Sequence, residues 1–250
     1  MFEEHPLFTI PEDPNTTIWR YMDFAKFVSI LERKALFFPR AIALDDPFEG
    51  SVSNPTATMR WESLKLPALD KAVFEATFKD LRKFMLLSCW NISYGESATL
   101  WKLYAPDRQG IALRSSIAHL KGSFKPHPEP VYIGQVQYID YETEHMSEPN
   151  NIFSPFRYKR IAFREERELR AFIFRPRGIK SNEQGEKSLD LSGEVNRGEY
   201  VSVDGGLLVD EVVVSGTSEE WFLKLVEATI RRYGLDKPCR KSDLAREPIF

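Results

Sequence analysis

The sequence predicts an α+β fold in a single domain, with two small packed sheets and short helices. Three observations carry that expectation. Short apolar runs such as FMLLSCWN (84–91) and ELRAFIF (168–174) have the length and residue types of buried strands. They alternate with short amphipathic stretches, and neither an internal repeat nor a clean linker divides residues 1–250. The chain is 42% hydrophobic and 13% aromatic, enough for a sizeable core and far from a disordered composition.

In chain order, TTIWRY (16–21) reads as a strand. Asp23 then caps a helix in which Phe24, Phe27, Val28 and Leu31 fall at helical spacing, and Glu32, Arg33 and Lys34 crowd its end. ALFF (35–38) is a second short strand, and DDPFEG (45–50) is a loop punctuated by Asp-Pro and Gly. Residues 68–83 are expected to be helical, with Leu69, Val73, Ala76 and Leu81 near one stripe. A helix over 96–105 opens after the Gly95 turn, and GIALRS (110–115) is a strand. VYIGQVQYID (131–140) reads as one long strand, and residues 142–155 as loop. SPFRYKRIAF (154–163) is expected as a helix with Ser154 as cap and Pro155 at its first position. The polar, Gly/Ser-rich segment 177–198 reads as a mobile loop or hairpin tip, and LLVDEVVVS (207–215) as a strand. A final helix spans 218–234, with Ser218 at its start, acids in its first turn, Arg231 and Arg232 in its last turn and Gly234 after it.

Composition narrows the function. A net charge of −3 does not suggest a general nucleic-acid binder. Cys89 and Cys239 match no disulfide framework and no zinc spacing, so a reducing cytoplasm is the expected setting and a catalytic thiol is not expected. His5, His119, His127 and His145 form no metal-binding pattern, so no metal is expected. The first residues, MFEEHPLFTIPEDP, show no leader pattern, and no apolar run is long enough to span a bilayer.

The stretch FREERELRAFIF (163–174) is the most suggestive for chemistry. Side chains two apart on a strand point the same way, so Glu166, Glu168 and Arg170 would share one face while Leu169, Ala171 and Ile173 pack inward. Two carboxylates about 7 Å apart along a strand can divide labour, one orienting a hydroxyl and the other stabilising a developing cation or acting as base. They can equally be solvated, or paired with Arg164, Arg167 and Arg170.

Further segments occur in a fixed order: Arg20–Tyr21, the D-P-F-E loop from Asp46 to Glu49, Cys89–Trp90, L-W-x-x-Y-A from Leu100 to Ala105, Gly110–Ile111, and K-R-x-x-F-x-x-E-x-E-x-R from Lys159 to Arg170. Together they resemble a bacterial and phage family, the domain of unknown function family 2971, over roughly residues 16–240. More distantly, the order of elements is similar to the ADP-ribosyltransferase fold. That resemblance implies NAD as substrate, with Arg20 on an early strand, Ser88 and Trp90 on a middle strand, and Glu168 as catalytic carboxylate with Glu166 as its helper. Tyr21, Trp101, Tyr104, Asp46, Glu49, Lys159, Arg160 and Arg170 are the further candidates for substrate binding. The middle strand reads S-C-W where that fold has S-T-S, and no Gly-rich NAD loop is visible.

The residue types suit that chemistry. A carboxylate near the ribose stabilises positive charge as nicotinamide departs, an arginine fork suits pyrophosphate, and an aromatic wall suits stacking. The expectation that follows is geometric: Arg20, Trp90 and Glu168 meet around one hollow, and Glu168→Gln leaves the melting temperature almost unchanged. Each candidate has a plainer reading. Trp90 and Trp101 suit a core, Asp46 and Glu49 suit a tight loop, Ser88 suits a buried hydrogen bond, and the basic run around Lys159 suits a solvated face or contact with phosphate. Two other functions use the same residues. Asp46, Glu49, Glu166 and Glu168 are the right types for a metal-dependent nuclease or phosphoesterase. A noncatalytic module in phage defence or a stress response would bind a nucleotide, a protein or a nucleic acid through the same pocket. No membrane partner is expected.

Overall fold

The structure, a computed structural model, describes residues 1–64, 68–104, 108–181 and 187–249. The expected Ala105, the side chains of Leu69 and Val73, and residues 182–186 of the 177–198 segment lie outside what is described.

The first strand, β1 (Thr17–Asp23), runs into helix α1 (Phe24–Arg33). Asp23 caps that helix by accepting the Lys26 N–H at 2.8 Å, and Lys34 ends it in the left-handed conformation. Strand β2 (Ala35–Pro39) follows, then helices α2 (Asn54–Leu64) and α3 (Ala68–Leu81). Strand β3 (Met85–Ile92), helix α4 (Ala98–Tyr104), strand β4 (Gly110–Ser116) and helix α5 (Ile117–Ser123) form the middle of the chain. Next come β5 (Tyr132–Gln135), β6 (Gln137–Ile139), β7 (Tyr158–Arg160) and β8 (Glu168–Phe174). The last part holds β9 (Ile179–Ser181), β10 (Lys187–Leu189), β11 (Gly198–Ser202), α6 (Gly205–Leu208), β12 (Glu211–Val214), α7 (Glu220–Arg232) and β13 (Cys239–Lys241).

Seven strands share one sheet in the order β13-β12-β4-β1-β3-β8-β5, while β2 with β11, β6 with β7 and β9 with β10 form two-stranded sheets. The α+β class expected from the sequence is the one observed. The large sheet is nearly two sheets. β1 pairs β4 from Thr17↔Ser116 to Asp23↔Gly110, and β3 pairs β8 from Met85↔Phe174 to Asn91↔Glu168. Between β1 and β3, by contrast, only Ile18↔Ile92 and Trp19↔Asn91 are in register. Beyond those two pairs the strands diverge, and the sheet splits.

Alternation then sorts side chains to two faces. Ile18, Met22, Leu86, Trp90, Leu169, Ala171 and Ile173 enter the main core, with Leu36, Phe38 and Val201 from β2 and β11 and with Phe27 and Phe222 from helices α1 and α7. The opposite face carries Met85, Leu87 and Phe172 in one cluster and Trp19, Tyr21, Leu100 and Trp101 in another.

Four expectations need correction. Residues 131–140 are two strands, because the Val136 N–H turns to Glu168 O at 2.9 Å and Gln137 then pairs with the chain around Tyr158. Residues 154–163 are no single helix: Pro155 starts one 3₁₀ turn, Tyr158–Arg160 pairs in parallel with β6, and a second 3₁₀ segment spans Ile161–Glu166. Residues 207 and 208 belong to a short helix, because the Asp204 carboxylate caps the Leu207 N–H at 3.1 Å, and the strand begins only at Glu211. The last helix is capped at Glu219, while the Ser218 hydroxyl donates to Arg108 O. The 177–198 segment contains the antiparallel β9–β10 pair.

Gly50 closes the loop that carries Asp46 and Glu49. Its φ is +75°, and a methyl group there would run into the ring of fully buried Phe156. Gly50→Ala is therefore expected to cost about 1–3 kcal/mol and to lower the melting temperature by several degrees in a thermal melt. An unchanged midpoint would mean that the loop and the ring separate freely.

Candidate active site

Strand β8 begins at the sheet end where β1 starts and β3 and β5 finish. Its alternation sends Leu169, Ala171 and Ile173 into the main core and Glu168, Arg170 and Phe172 to the other face, as the sequence predicts. Glu166 precedes the strand, on the 3₁₀ segment, yet it still reaches the same group as Glu168. Lys159 donates to Glu166 Oε2 at 2.5 Å and to Glu168 Oε1 at 2.7 Å.

Arg170 anchors the assembly, with 0% of its surface exposed. Its Nε donates to Glu168 Oε2 at 2.5 Å, its Nη1 to Phe156 O at 2.8 Å and to Glu49 Oε1, and its Nη2 to Glu49 Oε2 at 3.0 Å. One edge of the fork thus holds Glu49 through both carboxylate oxygens, the geometry that makes Arg the residue of choice for buried carboxylates. Arg160 Nη2 bonds Asp46 Oδ1 at 2.8 Å and lies over Phe48 at 4.3 Å. Asp46 Oδ1 also accepts the Phe48 N–H at 3.0 Å, so the loop turns on the same carboxylate that faces Arg160.

The charges pull the two glutamates apart. Burial, then the hydrogen bond and charge of Glu168, push the Glu166 carboxyl up to about 7 against the pull of Lys159. Burial alone would also raise Glu168, but the Arg170 guanidinium beside it, with Glu166 and Lys159, holds it well below the usual carboxylate range. Burial would lower Lys159, and the Glu168 and Glu166 carboxylates override this and raise it. Burial pushes Glu49 up, and Arg170 offsets only part of that.

Among the described residues, the buried acceptors Asp46 Oδ2 and Asn91 Oδ1 accept no hydrogen bond, and the Arg160 Nε–H donates none. Asn91 is 6% exposed, sits opposite Glu168 in register and donates from Nδ2 to Glu166 O at 2.7 Å. Asn91 was not foreseen, although its place two residues after Cys89 puts it on the carboxylate face. Tyr138, whose hydroxyl accepts the Glu168 N–H at 2.8 Å, was not foreseen either, and no local pattern marks it.

Arg20, Ser88 and Trp90 come together elsewhere. Arg20 reaches across the split to the Ser88 hydroxyl, donates to Phe37 O at 3.2 Å and lies 5.7 Å from the Trp90 ring centre. Trp90 Nε1 donates to the same Ser88 oxygen at 3.3 Å. Trp90 pairs across from Leu169, on the core side of the sheet, whereas Glu168 pairs across from Asn91 and points the other way. The expected meeting of Arg20, Trp90 and Glu168 around one hollow is thus corrected: alternation along β3 and β8 places the arginine–indole pair and the carboxylate on opposite faces.

Tyr21 and Trp101 pack edge to face, 5.0 Å between ring centres, in the cluster beside the carboxylate face. The Tyr21 hydroxyl accepts the Ser97 N–H at 2.8 Å, and Trp101 Nε1 donates to Glu96 Oε2 at 3.0 Å. Tyr104, at the end of α4, is partly exposed, and its hydroxyl is raised by burial and by the charge of Glu166. Burial pushes the Cys89 thiol up to about 12, so it carries no thiolate at neutral pH.

Among the described residues, no three His, Cys, Asp or Glu side chains are grouped to hold a metal ion. Asp46, Glu49, Glu166 and Glu168, the ligand set a metal-dependent nuclease would need, instead face guanidinium or ammonium groups. Among the described residues, no helix is long and apolar enough to cross a membrane.

No protein-family model matches the sequence. No curated protein matches it either. Among solved structures, Thermus sp. 2.9 DarT in complex with NAD+ is found at a TM-score of 0.40 and 11% identity, covering 95% of this chain and 100% of that one. The same protein in complex with carba-NAD+ is found at 0.39 and 11%, covering 93% and 97%.

The network dictates two stability outcomes. Glu168→Gln strips a charge from Arg170 and Lys159 in a dry site, and is expected to cost about 3–5 kcal/mol. This replaces the expectation of an unchanged melting temperature, and an unchanged melt would show that the network contributes nothing to folding. The second outcome concerns pH. Glu166 ionises near 7 in the folded chain against an ordinary 4.5, so its contribution is present below pH 4.5 and is lost as pH rises through about 7. Glu168 has the opposite sign: its contribution is present above its ordinary 4.5 and is lost as pH falls toward its lower folded value. Urea melts between pH 4.5 and 7 are expected to show wild type losing stability relative to Glu166→Gln; parallel profiles would contradict the assignment.

Proposed function

We propose that the chain is an ADP-ribosyltransferase-like enzyme that cleaves the nicotinamide glycosidic bond of NAD, and that it belongs to the domain of unknown function family 2971, on the order and spacing of its motifs. One observation carries the enzymatic reading. Two adjacent carboxyls at a strand mouth share one lysine and are shifted in opposite directions: burial and the charge of Glu168 push Glu166 up to about 7, while the buried Arg170 holds Glu168 well below the usual carboxylate range. Such division lets one site supply a proton acceptor and a fixed negative charge at the same pH.

The geometry favours exchanging the roles implied by the resemblance. Both Glu168 oxygens are taken, one by Lys159 and one by Arg170, and the residue is 5% exposed. Glu166 is the more open of the pair. Glu166 would take the proton of the attacking acceptor group, while Glu168 keeps Lys159 and Arg170 in place and holds negative charge beside it. The electron pair of the ribose–nitrogen bond leaves with nicotinamide, and the acceptor's nucleophile forms the new bond to that ribose carbon. The unpaired acceptors Asp46 Oδ2 and Asn91 Oδ1 suit donors such as ribose hydroxyls or a carboxamide NH₂. The acceptor is a protein, a nucleic acid or a small molecule, and the cytoplasm is the proposed setting.

The decisive assay is nicotinamide release from NAD, followed by chromatography with nucleophilic acceptors of each class. Wild type is expected to release nicotinamide, and Glu166→Gln to slow release by about 10²–10⁴-fold while remaining folded. Release at the wild-type rate from that variant removes Glu166 from the chemistry; no release with any acceptor removes the enzyme. One observation favours a second reading, a noncatalytic nucleotide-binding module: the complete pairing of Glu168. Calorimetric binding of NAD without turnover, unaffected by Glu166→Gln, selects it.

A further inference from the structure

A hollow of about 360 Å³ opens at the same end of the sheet as the carboxylate pair. It lies where the start of β1, the end of β3 and the end of β5 meet the turn before β8, and its walls include Thr16, Thr17, Tyr94, Tyr138, Arg164 and Arg167. Three features set its chemistry.

The first is positive charge. Arg164 and Arg167 lie three residues apart on the 3₁₀ segment and its cap. Arg164 is exposed and, among the described residues, its guanidinium pairs with its neighbour Glu165 alone, at 3.4 Å and also exposed, a pairing of little worth in water. The Arg167 guanidinium makes no hydrogen bond or ion pair among the described residues. Its backbone is nonetheless fixed: it is left-handed, φ +41°, its N–H donates to Arg164 O at 3.2 Å and its carbonyl accepts the Ile92 N–H at 2.9 Å. The second feature is an unused aromatic face. Tyr94 is 101% exposed, and its ring stacks on no other ring of the described chain. The third is a set of small hydroxyls, Thr16, Thr17 and Ser93, on the β1–β3 side.

One unpaired guanidinium, a second held by an exposed carboxylate, an open aromatic ring and hydroxyls around a hollow of this size are the complement of a phosphate joined to a flat heterocycle. We propose that this hollow is a binding site for a nucleoside monophosphate, with Arg164 and Arg167 taking the phosphate and Tyr94 stacking on the base. It is separate from the Glu166–Glu168 site and stands whether or not that pair cleaves NAD. The two share a wall, because Tyr138, which lines the hollow, accepts the Glu168 N–H through its hydroxyl.

Calorimetry on the full chain with AMP, adenosine, inorganic phosphate and a short unphosphorylated single-stranded oligonucleotide tests the site without reference to turnover. AMP is expected to bind, adenosine and phosphate each at least about tenfold more weakly. Arg167→Gln and Arg164→Gln should each weaken AMP by about tenfold. Tyr94→Ala should weaken AMP several-fold and leave phosphate unchanged. All three side chains are exposed, so folding should persist, with circular dichroism as the check. The proposal is overturned if AMP does not bind, if adenosine binds as tightly as AMP, if the Arg164→Gln/Arg167→Gln double variant binds AMP like wild type, or if only the oligonucleotide binds.

Discussion

Arg170 is the constraint around which the carboxylate side of this molecule is arranged. A guanidinium with no exposure is tolerable only if its donors are met, and here they are met by two glutamates and a main-chain carbonyl. Glu49 comes from a loop, Glu168 from the mouth of β8 and the carbonyl from Phe156. Segments far apart in the chain are thereby fixed to one group. The D-P-F-E loop has a structural reason to be where it is: Asp46 turns it, Gly50 lets it pass the Phe156 ring, and Glu49 closes on Arg170.

The same saturation shapes what chemistry is available. A carboxylate with a cation on each oxygen is a poor base, and its buried neighbour, facing that fixed negative charge, is pushed up despite the lysine they share. The electrostatic asymmetry of Glu166 and Glu168 thus arises from position relative to Arg170, since the residues are chemically identical. The second constraint is the split between β1 and β3. Because β1 and β3 are in register at two residue pairs near one end and diverge beyond them, Arg20 can lie in the gap, bonding β2 and β3 at once. That places its charge close to the Trp90 ring but leaves the carboxylates on the far side of β3 and β8.

Much of this was legible in the sequence where one local rule decides. Asp23 as a cap, the inward face of β8 and the α+β class follow from hydrogen-bonding propensity and the two-residue period. The pattern failed where a partner strand overrides local preference. Residues 131–140 carry the partly alternating pattern of one long strand, yet Val136 turns its N–H to Glu168, and the following residues join a different strand. Residues 154–163 have a good helical opening at Ser154–Pro155, but the backbone of Tyr158–Arg160 is claimed by β6.

The sequence by itself determined which residues could carry charge and that Glu168 and Arg170 share one face of β8 with Leu169, Ala171 and Ile173 on the other, because covalent spacing and pleat geometry set those relations. Only the tertiary structure decided that Lys159 and Glu49 complete the network, that Asn91 and Tyr138 adjoin it, and that Arg20 and Trp90 stand apart from it. Those relations depend on strand register and on burial, which arise when distant segments pack and the dielectric around each charge is set.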